Sequence, residues 1–212
     1  MNYKISKGLN LSLEGEITNH ILPVNKSSTN KVAILGRDYH GIKPTMFVSE
    51  GEEVSQGDKL FEDKKNPGVF ITSPAGGKVE AINRGNRRVL QSIVIEVDSQ
   101  EEPIHFKTFS EQDLLNATQE SIREQLISSG MWTAFRTRPY SKIPNIESSP
   151  SNVFISALDT QPLSPNPEYI INLQKEDFNF GISVLKQLVN CPIHLSISEN
   201  STLDIKDDDQ LK

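Results

Sequence analysis

The chain has a single cysteine, Cys191, in 212 residues. That excludes an intramolecular disulfide, and it excludes an iron–sulfur or zinc site built from four thiolates of this chain. Cys191 stands in the apolar run Leu188-Val189-Asn190-Cys191-Pro192-Ile193, where a small core residue is expected rather than a nucleophile. No stretch approaches the roughly 18 apolar residues of a membrane-spanning helix. Met1–Lys7 lacks the apolar core of a signal peptide, so a membrane role is expected to run through a partner. Positive charge is in deficit: 22 Lys and Arg stand against 28 Asp and Glu, for a net charge of −6. That balance argues against broad nucleic-acid binding. The four histidines, His20, His40, His105 and His194, lack the helical or paired spacing of metal ligands. No G-x-G-x-x-G follows a strand, and no Ser/His/Asp or paired-carboxylate arrangement can be argued.

What is there divides near residue 100. Residues 1 to about 30 alternate loosely and show no convincing helix. Lys31-Val32-Ala33-Ile34-Leu35 reads as a buried strand, and residues 41–98 follow as short strands between tight turns. Strands are expected at Thr45–Val48, Lys59–Glu62, Val69–Thr72, Lys78–Ile82 and Leu90–Val97. Asn66-Pro67-Gly68 makes a hairpin tip, because Pro presets one turn dihedral and Gly tolerates positive φ. Strands this short, with turns every 8 to 12 residues, predict a small all-β sandwich or barrel.

Beyond residue 100 the pattern turns helical. Ser110 is a helix N-cap followed by acids, and Ile122, Leu126 and Ile127 keep helical spacing up to a stop at Gly130. Residues 136–150 are irregular, rich in Pro, Ser and basic groups. Val153–Ala157 is then a strand, Tyr169-Ile170-Ile171 starts a helical run, Phe180–Val189 is a second helix and Ile193–Ile197 a second strand. That order is a parallel α/β unit. Only about two strands of its sheet are visible, so a fragment or a reduced sheet is expected. Lys206–Lys212 is polar and not expected to pack.

Two motifs identify the first half. Glu50-Gly51-Glu52-Glu53-Val54-Ser55-Gln56-Gly57-Asp58-Lys59-Leu60 and Ser73-Pro74-Ala75-Gly76-Gly77-Lys78-Val79 resemble the paired turns of biotinyl/lipoyl domains. Those domains carry their modified lysine on the hairpin tip before the second motif; here the tip is Asn66-Pro67-Gly68, with Lys64 and Lys65 beside it. Two solvated lysines is the plainer account of that pair.

Longer blocks narrow the resemblance. Leu60–Val69, Arg84–Ser92, Ser129–Pro144 and Ala157–Leu163 look like the A-subunit of the bacterial sodium-translocating NADH:quinone oxidoreductase, with the likeness running from residue 4 to about 195. The family's chain is about twice this length, so the present one is expected to cover its amino-terminal half. The resemblance implies an α+β multidomain chain: a lipoyl/biotinyl-like β sandwich (barrel-sandwich hybrid) in residues 1–100, then a degenerate Rossmann-like α/β domain, expected to be incomplete, in residues 101–212. It implies a peripheral subunit on the cytoplasmic face of the bacterial inner membrane. Other subunits would be its partners, with ubiquinone as a candidate ligand. The flavins, the iron–sulfur centre and the NADH site would lie elsewhere in the complex, leaving no cofactor in this chain.

The residues themselves suggest the same limits. In a more distant relative, the flavin-carrying subunit of respiratory complex I, a glycine loop cradles the flavin phosphate through backbone N–H groups. The matching stretch here is Gly130–Arg136, where Trp132 and Phe135 replace glycines. The rival reading is a self-contained flavin- or NADH-binding protein. The most unusual cluster is Trp132, Phe135, Arg136, Arg138, Tyr140 and Lys142, read as a partner or quinone surface. Its plainer account is a structured loop whose aromatics pack inward while Arg caps carbonyls. Arg84, Arg87 and Arg88 flank a hairpin turn that would face either an acidic neighbour or solvent, and Asp159 would bind a ligand or cap a turn.

Overall fold

Glycine-punctuated strands close into two facing sheets in the computed structural model, which describes residues 13–15, 29–98, 100–203, 205 and 209–212. The described part of residues 26–149, with Gln187–Val189, forms one compact unit. The other takes the described part of residues 150–186 and 190–212, with residues 13–15. The expectation for residues 1–30 falls largely outside the described residues.

In the β unit, β1 (Lys31–Leu35), β3 (Glu53–Val54), β6 (Gly77–Arg84) and β7 (Leu90–Val97) make an antiparallel sheet in the order β1-β7-β6-β3. A second sheet orders β2 (Pro44–Met46), β4 (Lys59–Asp63) and β5 (Phe70–Thr72) as β2-β4-β5. Inward side chains from both sheets meet in one core: Val54, Leu60, Phe61, Ile71, Val79, Leu90, Ile93 and Ile95 are all buried there, with the consecutive Leu60 and Phe61 both turned in at a register shift of β4. This is the barrel-sandwich expected from the turn motifs. Strand β2 ends earlier than Val48, but Phe47 N–H still donates to Leu60 at 3.0 Å, so the ladder runs one bond further.

The sheets stop at Val97, yet the unit continues to residue 149. Helix α1 (Glu111–Asn116) starts at Ser110 in a full capping box: the Ser110 hydroxyl accepts from Asp113 N–H while the Asp113 carboxylate accepts from Ser110 N–H. Helix α2 (Gln119–Ser128) starts at a Thr118 N-cap and buries Ile122. Glycine at 130, with φ of +78°, ends it in the left-handed conformation the sequence suggests.

In the α/β unit, β8 (Val153–Ser156) and β9 (Ile193–Ser196) pair in parallel, with Val153 opposite Ile193 and Ser156 opposite Ser196. Between them come α3 (Pro167–Leu173), with an Asn166 N-cap and Pro at its first position, and α4 (Lys175–Leu188). Helix α4 begins five residues before the expected Phe180. Glu176 and Asp177 sit favourably at its positive end, and no Gly or Pro interrupts the approach.

One expectation is corrected. Lys206–Asp208 lie outside the described residues, but the end of the chain does pack. Leu211 is buried and bridges Ile193 in parallel. Ile193 N–H donates to Gln210 at 2.8 Å and Leu195 N–H to Lys212 at 2.9 Å. The outer edge of β9 offers unpaired backbone groups, and a single apolar residue in a polar tail is enough to seat a third strand segment there.

Candidate functional site

Beyond Gly130 the chain makes a loop that the β unit itself holds in place. A Cβ at Gly130 would stand 2.5 Å from Thr72 Oγ1, so the helix end lies against β5 only because no side chain intervenes. A short 3-10 turn, Met131–Ala134, then turns Trp132 inward. Trp132 is 5% exposed, its indole N–H donates to the Pro144 carbonyl at 3.0 Å, and Phe135 packs edge-on at 5.3 Å. The Arg136 guanidinium donates to the carbonyls of Thr133 and Phe135. It also lies close enough to Tyr39 to offset part of a rise in the phenol pKa, which burial causes first and Asp38 adds to.

The next residues form a closed projection. Thr137 N–H donates to Lys142 at 2.7 Å and Ser141 N–H to Thr137 at 2.8 Å. Arg138, Tyr140 and Lys142 stand exposed on it; Tyr140 is 73% exposed, with the Lys142 ammonium 6.0 Å from its ring centre. The six residues singled out therefore do different jobs. Trp132 and Phe135 are the anchor, Arg136 caps two carbonyls of the turn, and Arg138, Tyr140 and Lys142 stand exposed beyond it.

The β4–β5 tip is held by the same segment. Asn66 Nδ2 donates to the Ile143 and Pro144 carbonyls at 3.3 and 3.0 Å, and a Cβ at Gly68 would meet Ile146 Cδ1 at 2.6 Å. Lys65 Nζ donates to the Gly41 carbonyl at 2.9 Å. A carrier lysine works from a free tip, and this tip is pinned. Geometry also speaks against a phosphate cradle after Gly130. The N–H groups of Thr133 and Phe135 are committed to the Gly130 and Trp132 carbonyls, each at 3.2 Å.

The remaining sequence candidates resolve individually. Asp159 caps its turn, accepting from Gln161 N–H at 2.9 Å and from the Ser164 hydroxyl at 2.6 Å. These bonds, the Ser164 one foremost, hold its carboxyl below the ordinary carboxylate range. Burial pushes the Cys191 thiol up, away from the thiolate a nucleophile needs. Arg84, Arg87 and Arg88 are exposed on the β6–β7 turn, with Arg87 and Arg88 at φ of +57° and +61°. Among the described residues no three His, Cys, Asp or Glu could hold a metal ion. No described helix is long and apolar enough to cross a membrane.

Sequence reasoning missed a cleft of about 550 Å³ on the β unit, lined by Phe47, Lys59, Phe70, Ile104, Phe106 and Ser128 among others. Phe47 and Phe70 lie 6.1 Å apart, and the Lys59 ammonium sits 3.8 Å from the Phe70 ring centre. The one available signal was Phe47, which alternates outward between Met46 and buried Val48. Ile104 and Phe106 come from a connection without regular structure, where no periodicity announces a wall.

Residues 3–98 match the NqrA N-terminal barrel-sandwich hybrid domain and residues 117–212 the NqrA second alpha/beta domain. The Na(+)-translocating NADH-quinone reductase A-subunit of Yersinia pseudotuberculosis is 47% identical over 192 residues, covering 91% of this chain and 42% of the relative. Its counterpart in Histophilus somni is 46% identical over 199 residues, 94% of this chain and 44% of the relative. That of Haemophilus influenzae is 44% identical over 209 residues, 98% and 46%. The chain thus spans less than half the length of the curated relatives it matches.

Proposed function

The chain belongs to the NqrA family, the A-subunits of Na(+)-translocating NADH-quinone reductases, and we propose that it serves such a complex as a peripheral subunit without a redox cofactor of its own. Its task is complex assembly and help in quinone binding, on the cytoplasmic face of the bacterial inner membrane. Flavins, the iron–sulfur centre and the NADH site belong to the other subunits. The observation that carries this reading is the 137–142 projection, where three exposed side chains ride on a loop anchored by buried Trp132. Rigid display of Arg and Tyr is how docking surfaces limit the entropy lost on binding. A quinone ring would find its best fit in the Phe47–Phe70–Phe106 cleft, whose walls are aromatic and whose Lys59 offers a donor to a carbonyl oxygen.

A self-contained flavin- or NADH-binding protein is the weaker reading, because the backbone groups that would hold a phosphate are already bonded. Affinity capture from bacterial membranes tests the proposal. Wild-type chain should recover membrane subunits with NADH:quinone activity, and Arg138→Glu with Tyr140→Ala should recover several-fold less. Recovery of the chain alone, colourless, would end the subunit reading.

A further inference from the structure

The β unit is electrically polarised along its strands. Leu35 at the end of β1 lies opposite Ser92, and Arg84 at the end of β6 opposite Leu90. Strand β2 opens at Pro44 opposite Asp63, next to the β4–β5 tip. The short connection 36–43 joins these places, with Gly36 packed on the Leu90 carbonyl and Lys64 N–H donating to Lys43 at 2.9 Å. The 136–144 loop joins the same end through Asn66 and beside Tyr39.

That end carries exposed cations on every segment. Arg84, Arg87 and Arg88 stand on the β6–β7 turn, and Arg37 and Lys43 on the connection. Lys64 and Lys65 flank the tip, while Arg136, Arg138 and Lys142 come from the loop. The acids on the 36–43 connection and beside the tip are Asp38, Glu62 and Asp63; Asp63 Oδ1 is engaged by the backbone N–H groups of Lys43 and Lys65, and Glu62 Oε1 by that of Gly68. The ion pair found among the described residues, Lys31 with Glu80, does not involve any of these cations. At the opposite end, where Val54 meets Gly77 and Gly77 meets Val97, stand Glu52, Glu53, Asp98, Glu101 and Glu102, outnumbering Lys59 and Lys78 there.

We propose that the β unit seats its hairpin end on a bilayer surface rich in anionic phospholipid headgroups; this rests on the reading of the chain as a subunit of a membrane complex. A net charge of −6 would hold the whole chain off such a surface, but a local excess of Lys and Arg attracts it and orients it, acidic end outward. The exposed apolar groups at this end are isolated at tips: Val89 on the β6–β7 turn, 63% exposed, and Tyr140 on the loop, 73% exposed. A protein interface gathers its apolar groups into a buried centre. Lone aromatic and aliphatic tips among cations match the headgroup layer instead.

Co-sedimentation of the purified chain with vesicles tests this. Binding is expected to phosphatidylcholine vesicles holding a third phosphatidylglycerol, not to phosphatidylcholine alone, and should vanish at high salt. Each neutralised cation should weaken binding about fivefold. Lys64→Gln with Lys65→Gln, and separately Arg87→Gln with Arg88→Gln, should then each cost about 25-fold. Glu101→Gln with Glu102→Gln at the far end should cost nothing. Equal binding to both vesicle types, or binding indifferent to both cationic pairs, would overturn the inference. Capture of complex subunits in detergent without vesicle binding would also overturn it, pointing the cations at an acidic protein while leaving the subunit reading intact. Vesicle binding without capture of subunits would do the reverse.

Discussion

The two units differ in how completely they bury what they make. In the β unit two sheets face each other, and Leu60, Phe61, Val79, Ile93 and Ile95 have no exposed surface. In the α/β unit one pair of parallel strands, extended by a single bridge at Leu211, carries Phe154 72% exposed, and helix α3 leaves Ile170 56% and Leu173 58% exposed. Antiparallel hairpins can close a sandwich from local turns alone, whereas parallel sheets are ordinarily covered on both faces by crossover elements. On β8, Val153 and Ile155 are partly buried while Phe154 and Ser156 are exposed, so one face of this sheet stands open. The lesson is that a core can be finished within about seventy residues when its contacts are local, and needs more chain when they are not.

Truncating one aromatic in each unit should separate the two most clearly. Phe61→Ala should cost about 3–5 kcal/mol in chemical denaturation, because it empties a closed core. Phe154→Ala should stay within about 0.5 kcal/mol, since that ring lies in solvent beside His194 at 5.0 Å. Equal losses would mean the α/β face is not open. Next in size, Leu211→Ala should cost about 3 kcal/mol in the α/β unit alone. Its readout is faster amide exchange at Leu195, whose N–H donates to Lys212; unchanged exchange would return the tail to the status of an unpacked end.

Trp132→Phe leaves the Pro144 carbonyl without its indole donor and should cost about 1 kcal/mol. Exchange should rise through residues 137–146 while the β6–β7 amides keep their protection. A uniform change would show that the loop is not a separately anchored element. The smallest effect is electrostatic. Asp159 is held low by Ser164, so its stabilising bonds are complete above the ordinary carboxylate pKa near 3.8 and lost as pH falls through the lower folded value. Ser164→Ala should move the Asp159 titration, followed by carboxyl NMR shifts, up towards that ordinary value. No movement would assign the shift to the backbone bond alone.

Much of this architecture was readable from residues in series. Ser110 with Asp113, Thr118 and Gly130 mark helix ends because capping is a local exchange of hydrogen bonds between neighbours. Asn66-Pro67-Gly68 and the alternation of Leu90–Val97 mark a hairpin tip and a strand for the same reason. The blocks from Leu60 to Pro144 were enough to place the chain in its family. Roles were harder. Trp132 and Tyr140 look alike in a list of aromatics, yet one is buried under Pro144 and the other displayed, a choice made by Gly130 seating the helix end on Thr72. Leu211 reads as one apolar residue in a polar tail until the free edge of β9 supplies its partner. The clustering of arginines and lysines at one end stays invisible in a chain of net charge −6. The turns, caps and strand alternation follow from the residues in series, because those depend on neighbours a few positions apart. Which side chains face inward, which edge is free and where charge accumulates were decided by tertiary structure alone, because each depends on segments brought together from tens of residues away.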